Sequence, residues 1–94
     1  MNRMRIKQKK GKYGFVDESG KWVIKPKFDE AGDFIEGFAL VALAGKYGYI
    51  KPDGSWLVEP KFDKARFFSE GFAAVKLGRK RGYIDRNGQW HKKI

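Results

Sequence analysis

Three tryptophans, Trp22, Trp56 and Trp90, recur every 34 residues along a chain of 94. The residues around them recur as well. Lys46-Tyr47-Gly48-Tyr49-Ile50 leads through Asp53-Gly54 to Trp56, then to Pro60-Lys61-Phe62-Asp63. One period earlier stand Lys12-Tyr13-Gly14-Phe15-Val16, Gly20, Trp22 and Pro26-Lys27-Phe28-Asp29; one period later stand Lys80-Arg81-Gly82-Tyr83-Ile84, Gly88 and Trp90. Self-similarity at such a period marks a stacked array, in which one unit cannot bury its apolar face alone and uses its neighbour to do so. This constrains the fold more than any compositional number.

Within each copy the pieces read as strands. Phe38-Ala39-Leu40-Val41-Ala42-Leu43, residues 47–51 and residues 56–59 are short runs separated by Ala44-Gly45 and by Pro52-Asp53-Gly54. Aromatic and β-branched runs cut by Gly and Asp-Gly turns predict a hairpin meander. No run between breakers reaches the dozen or so residues that a marginal helix needs. The prediction is all-β: three tandem antiparallel three-stranded meander units, at about residues 3–25, 38–59 and 72–94, stacked as a short repeat array in a single domain. Two matching connectors, 26–37 and 60–71, join them with the shared pattern Pro-Lys-Phe-Asp-x-Ala-x-x-Phe-x-Glu-Gly. Their Pro26 and Pro60 are expected to end the preceding strand, since proline cannot donate to a ladder. Phe28, Ala31 and Phe34, like Phe62, Ala65 and Phe68, are three apart and predict a short turn tucked over the core. The chain begins and ends on unit boundaries, as a complete protein would.

Period-two geometry assigns faces. Tyr13 and Phe15, Tyr47 and Tyr49, Arg81 and Tyr83 point one way, and Gly14, Gly48 and Gly82 the other. A glycine at all three copies predicts a bulky neighbour over bare backbone, and Trp22, Trp56 and Trp90 are the candidates. On the first strand of a unit, Ala39, Val41 and Leu43 or Ala73, Val75 and Leu77 keep one face apolar, while the other face varies, as in Ala42 against Lys76. The outermost strands are polar, as expected where an array meets water.

Lys-Tyr-Gly-Tyr-Ile-x-x-x-Gly-x-Trp, followed by Pro-Lys-Phe-Asp-x-Ala and Phe-x-Glu-Gly-Phe-Ala-x-Val, resembles the WG-repeat family of many bacterial proteins. The resemblance covers nearly the whole chain, with residues 1–10 fitting poorly. It implies an all-β repeat module with an interaction role and brings no catalytic residues.

The formal charge is +10, and it sits at the chain ends. Residues 1–12 hold Arg3, Arg5, Lys7, Lys9, Lys10 and Lys12 with no acid, and residues 76–94 set seven basic side chains against Asp85 alone. The stretch between them is slightly acidic. Surplus positive charge favours anionic partners; the plainer reading is solubility and protection of exposed sheet edges. Repeat-breaking residues sharpen the first reading. Arg66-Phe67 replaces Gly32-Asp33, and Arg81 replaces Tyr13 and Tyr47 within Arg79-Lys80-Arg81. Basic groups beside aromatics neutralise phosphates and stack on bases. The candidate ligand-binding residues are therefore Arg3, Arg5, Lys7, Lys9, Lys10, Lys12, Arg66, Phe67, Arg79, Lys80, Arg81, Arg86, Lys92 and Lys93.

Catalysis has little to stand on. There is no cysteine and one histidine, His91, which reads as a surface residue. No metal-ligand spacing and no phosphate-binding glycine loop occurs. The acids shared by both connectors, Asp29, Asp63, Glu36 and Glu70, read as caps or as partners of Lys27 and Lys61. The expectation is a non-catalytic binding module, without cofactor or metal, whose basic terminal units engage nucleic acid or a nucleotide-like ligand. The alternative is an interaction or inhibitor module docking on an acidic protein surface. No apolar stretch could span a bilayer, so a cytoplasmic monomer or small oligomer without membrane partner is expected. If the units curl into a compact body, the two basic ends fuse into one surface; in an open spiral they cap opposite ends.

Overall fold

The computed structural model describes residues 4–92. Eleven strands follow one another with no helix among the described residues: β1 (Arg5–Lys9), β2 (Lys12–Val16), β3 (Trp22–Phe28), β4 (Glu30–Ile35), β5 (Phe38–Leu43), β6 (Lys46–Ile50), β7 (Trp56–Phe62), β8 (Lys64–Ala65), β9 (Phe72–Leu77), β10 (Lys80–Asp85) and β11 (Trp90–Lys92). They form three antiparallel sheets, β1-β2-β3, β4-β5-β6-β7 and β8-β9-β10-β11, every strand pairing with its chain neighbour. The all-β array of three tandem units is the predicted one. The connectors are where it differs.

The connectors are strands, so the second and third units have four strands each. Proline does not stop the chain, because a bulge accommodates it. Tyr13 pairs with Phe28 and Phe15 with Ile24, leaving Lys25, Pro26 and Lys27 opposite the single residue Gly14. Glu59, Pro60 and Lys61 stand opposite Gly48 in the same way. A bulged proline needs no ladder partner for its missing N–H. This also corrects the expected role of glycine. A Cβ on Gly48 would fall 2.6 Å from the Val58 carbonyl oxygen and 2.8 Å from the Pro60 nitrogen, and Gly14 meets the backbone of Ile24, Lys25 and Pro26 just as closely. The bulge, and not Trp22 or Trp56, requires these glycines. Only at Gly82, opposite unbulged β11, does a tryptophan press on the position, with Trp90 Cε2 2.7 Å from where a Cβ would lie.

A second bulge explains the three-residue spacing in the connector. Ala31 pairs with Val41 and Phe34 with Ala39, so β4 carries one extra residue. That extra residue returns Phe34 to the face Ala31 occupies, and both pack inward.

Two separate cores result, one in each gap between sheets. Phe15, Ile24 and Phe28 of the first sheet meet Ala39, Val41 and Ile50 of the second. Tyr49, Val58 and Phe62 of the second meet Phe68, Ala73, Val75 and Ile84 of the third. The second sheet is therefore covered on both faces. The body measures 44 × 29 × 16 Å, an open stack and not a closed ring, so the described residues of the N-terminal and C-terminal basic runs belong to sheets at opposite ends.

Connector acids join consecutive units. Asp29 takes the Lys12 ammonium on one oxygen and the Ala44 amide on the other, at 2.8 Å. Asp63 repeats this with Lys46 and the Gly78 amide, at 2.7 Å. Glu36 accepts from the amides of Glu70 and Gly71, at 2.6 and 2.8 Å, one full period along the chain. These partners replace the expected Lys27 and Lys61, which lie instead over the rings of Phe28 and Phe62 at 5.4 and 5.6 Å. The Tyr49 hydroxyl donates to the Arg66 carbonyl at 2.6 Å, and burial pushes its phenol pKa upward.

Candidate functional site

Every sheet has a front face that looks toward the next unit. In the first sheet Ile6, Tyr13 and Phe15 lie there, and in the second Phe38, Leu40, Tyr47 and Tyr49; the following sheet covers each set. The corresponding face of the third sheet is open. Its Phe72 is 46% and its Tyr83 36% exposed, whereas Tyr49, one period before Tyr83, is fully buried.

Strand register decides what meets on this open face. Lys76 on β9 pairs with Lys64 on β8 and with Arg81 on β10, a row of three cations across three adjacent strands. In the second sheet the same row reads Glu30, Ala42 and Tyr47. The next row holds Ala74, Tyr83 and His91, and beyond it Phe72 pairs with Asp85. The Arg66 amide bonds the Ala74 carbonyl at 3.0 Å, aligning that residue with the Tyr83 row. An open groove of about 700 Å³ lies at the cationic end, lined by Lys64, Arg66, Lys76, Arg81 and Tyr83 together with Tyr47, Asp63, Ala65, Ala74, Val75 and Gly82. Asp63 is already engaged: the Lys46 hydrogen bond foremost, then the Gly78 amide, holds its carboxyl below the ordinary value.

Like charges directly opposite in a ladder destabilise it by several tenths of a kcal/mol per pair (roughly 0.2–1). Lys64, Lys76 and Arg81 form no close ion pair among the described residues, and the one acid lining the groove, Asp63, feels the Lys76 charge in addition to its Lys46 partner. The aromatic end of the face is held in place. Phe72 sits edge-to-face with Tyr83 at 6.5 Å and with His91 at 5.7 Å, and Asp85 Oδ2 fixes the imidazole through Nε2 at 2.7 Å.

The other predicted residues are scattered. Arg5, Lys7 and Lys9 alternate on exposed β1, Lys7 with its ammonium 5.8 Å from the Trp22 ring, and Lys10 occupies the following turn. Lys12 belongs to the Asp29 clasp. Arg86 lies 5.8 Å from the Phe38 ring of the second unit, a contact between units. Arg79 is in the β9–β10 turn, Lys80 opens β10 and Lys92 lies on edge strand β11. Phe67 is 58% exposed beside Arg66. Arg3 and Lys93 lie outside the described residues. Among the described residues of the predicted set, only Arg66 and Arg81 line the groove. Lys64, Phe72, Lys76 and Tyr83 were missing from it, although aligning copies at 34-residue offset sets Lys64 against Glu30 and Lys76 against Ala42.

Among the described residues, no group of three His, Cys, Asp or Glu side chains is arranged to hold a metal ion. Among the same residues, no helix is long and apolar enough to cross a membrane. No curated protein and no solved structure matches the chain. The family model described as the WG containing repeat matches residues 13–47 and again residues 47–80, and with most of its length so matched the chain belongs to the WG-repeat family.

Proposed function

We propose that this chain is a non-catalytic binding module that engages an anionic partner, nucleic acid or a nucleotide-like ligand, on the front face of its third sheet. The observation that carries this reading is the row Lys64, Lys76 and Arg81. A cation ladder opposes folding, and an anion in the adjoining groove turns that repulsion into binding energy. A second copy of the chain is a poor occupant. It would offer the outer face of its first sheet, where Arg5, Lys7 and Lys9 repeat the same charge.

Fluorescence anisotropy of labelled oligonucleotides across a salt series tests the proposal. The expected result is micromolar or tighter binding at physiological salt. Log K should fall with log salt by roughly 0.7–0.9 per phosphate neutralised, with a slope that Lys76→Ala with Arg81→Tyr flattens. Binding that the double substitution leaves unchanged would move the site elsewhere. Absence of binding to any polyanion would favour the alternative of docking on an acidic protein surface, to be pursued by pull-down.

A further inference from the structure

We infer that the open face of the third sheet takes a single strand of nucleic acid, bases on the Phe72, Tyr83 and His91 platform and phosphates along the Lys64, Lys76 and Arg81 row. This rests on reading the face as an anion site and adds the class of ligand. Four observations lead there.

The first is the separation of chemistries. Cations occupy one end of the face and rings the other, offset by one same-face step of a strand, about 7 Å. A nucleotide, with its charge and its flat apolar part at opposite ends, matches that order. A simple polyanion would use only the cations.

The second is the platform. Phe72 and Tyr83 are exposed, yet their mutual edge contact and the Asp85 hold on His91 restrict their motion. Rings ordered in advance lose less freedom when a base stacks on them. Stacking of this kind needs unpaired bases, since a duplex keeps its base faces covered by one another.

The third is extent. The three cations span three strands, two steps of about 4.8 Å. One phosphate reaches one neighbouring pair of them, whereas a backbone crossing the strands reaches all three.

The fourth argues against a protein sheet as the occupant. In the second unit the centre of the equivalent face is apolar, with Ala42 buried and Leu40 and Tyr47 part-buried against the core shared with the third sheet. In the third unit those positions are Ala74, Lys76 and Arg81, so the centre is charged and the apolar contact area is reduced.

The experiment uses the full chain with four labelled probes: short oligo(dT), its duplex with oligo(dA), an abasic strand of the same length, and inorganic polyphosphate. Oligo(dT) should bind about tenfold or more tightly than each of the others, in line with the stacking contribution of one or more bases. Phe72→Leu with Tyr83→Leu, folding verified by an unchanged thermal midpoint, should remove that advantage and leave polyphosphate binding as it was. Equal affinity for oligo(dT) and the abasic strand would overturn the single-strand inference while keeping the anion face. Displacement of oligo(dT) by free thymidine monophosphate at comparable concentration would likewise overturn it, in favour of a mononucleotide site. Failure of every probe would overturn the anion reading itself.

Discussion

The front faces of the second and third sheets are built on one plan and put to opposite uses. Both carry a Phe at the start of the first hairpin strand, Phe38 or Phe72, and a Tyr on the next strand, Tyr49 or Tyr83. In the second sheet Tyr49 is fully buried, its hydroxyl bonded to Arg66, its ring 5.2 Å from Phe68. In the third sheet Tyr83 meets solvent, and the charged row has replaced Glu30, Ala42 and Tyr47. Fold is retained because the ladder lies in the backbone and the inward residues Ala73, Val75 and Ile84 lie on the opposite face. A repeat thus separates what a residue does for its own sheet from what it does for the neighbour, and only the second task is free to change.

The largest effect expected from testing this contrast is in stability. Tyr49→Ala should cost about 3–5 kcal/mol, as deletion of buried aromatics does, while Tyr83→Ala should cost less than about 1 kcal/mol, as surface changes do; urea melts of the two variants compare them directly. Equal losses would mean that the third face is covered in solution. Gly48→Ala should fall with the large class, since its Cβ would lie 2.6 Å from the Val58 carbonyl oxygen, a backbone atom that cannot turn aside.

A smaller difference separates Glu36 from Glu70. Glu36 bonds the amides of the next unit's turn, whereas Glu70 has no such hydrogen bond among the described residues. Glu36→Gln should therefore cost about 1 kcal/mol at this exposed site, and Glu70→Gln nothing measurable, by thermal denaturation. Acid should act on the same joints. The Lys12 hydrogen bond first, then the Ala44 amide, holds Asp29 below its ordinary 3.8, and Asp63 behaves alike. With the folded value below the unfolded one, their stabilisation is complete above about pH 4 and is lost as pH falls through the folded value. Asp29→Asn should lower stability at neutral pH and flatten its decline in acid, followed by circular dichroism. The smallest effect has the opposite sign. Lys76→Ala with Arg81→Tyr, which gives the third row two residues of the second, should raise stability by roughly 0.2–1 kcal/mol while weakening binding and flattening its salt dependence. A loss of stability would mean that the row already has counter-charges.

Much of this was legible in the sequence. The period, the three sheets, the turns and the inward residues Ala31, Phe34, Ala65 and Phe68 can all be read from spacing, because each reflects a local rule applied three times. The strand character of 30–35 was hidden, since a bulge gives three-residue spacing on one face and imitates a turn of helix. Pro26 and Pro60 also misdirected the reading: only cross-strand register shows that Gly14 and Gly48 make room for them. For the site, scanning for runs of charge found Arg79, Lys80 and Arg81, which diverge to different faces. Lys64, Lys76 and Arg81, which lie on three different strands, become a row only through pairing.

The clasps made by Asp29, Asp63 and Glu36 have a consequence for how such a molecule can change in length. Lys12 and Lys46 reach forward to Asp29 and Asp63, whose other oxygens accept the Ala44 and Gly78 turn amides, and Glu36 accepts the amides of Glu70 and Gly71. Copying one unit in tandem therefore copies a whole joint, with no contact left to be invented. Arrays of this kind can lengthen or shorten in whole steps, each inserted unit being compatible with its neighbours from the start, while the outward surface of the end unit is free to change independently.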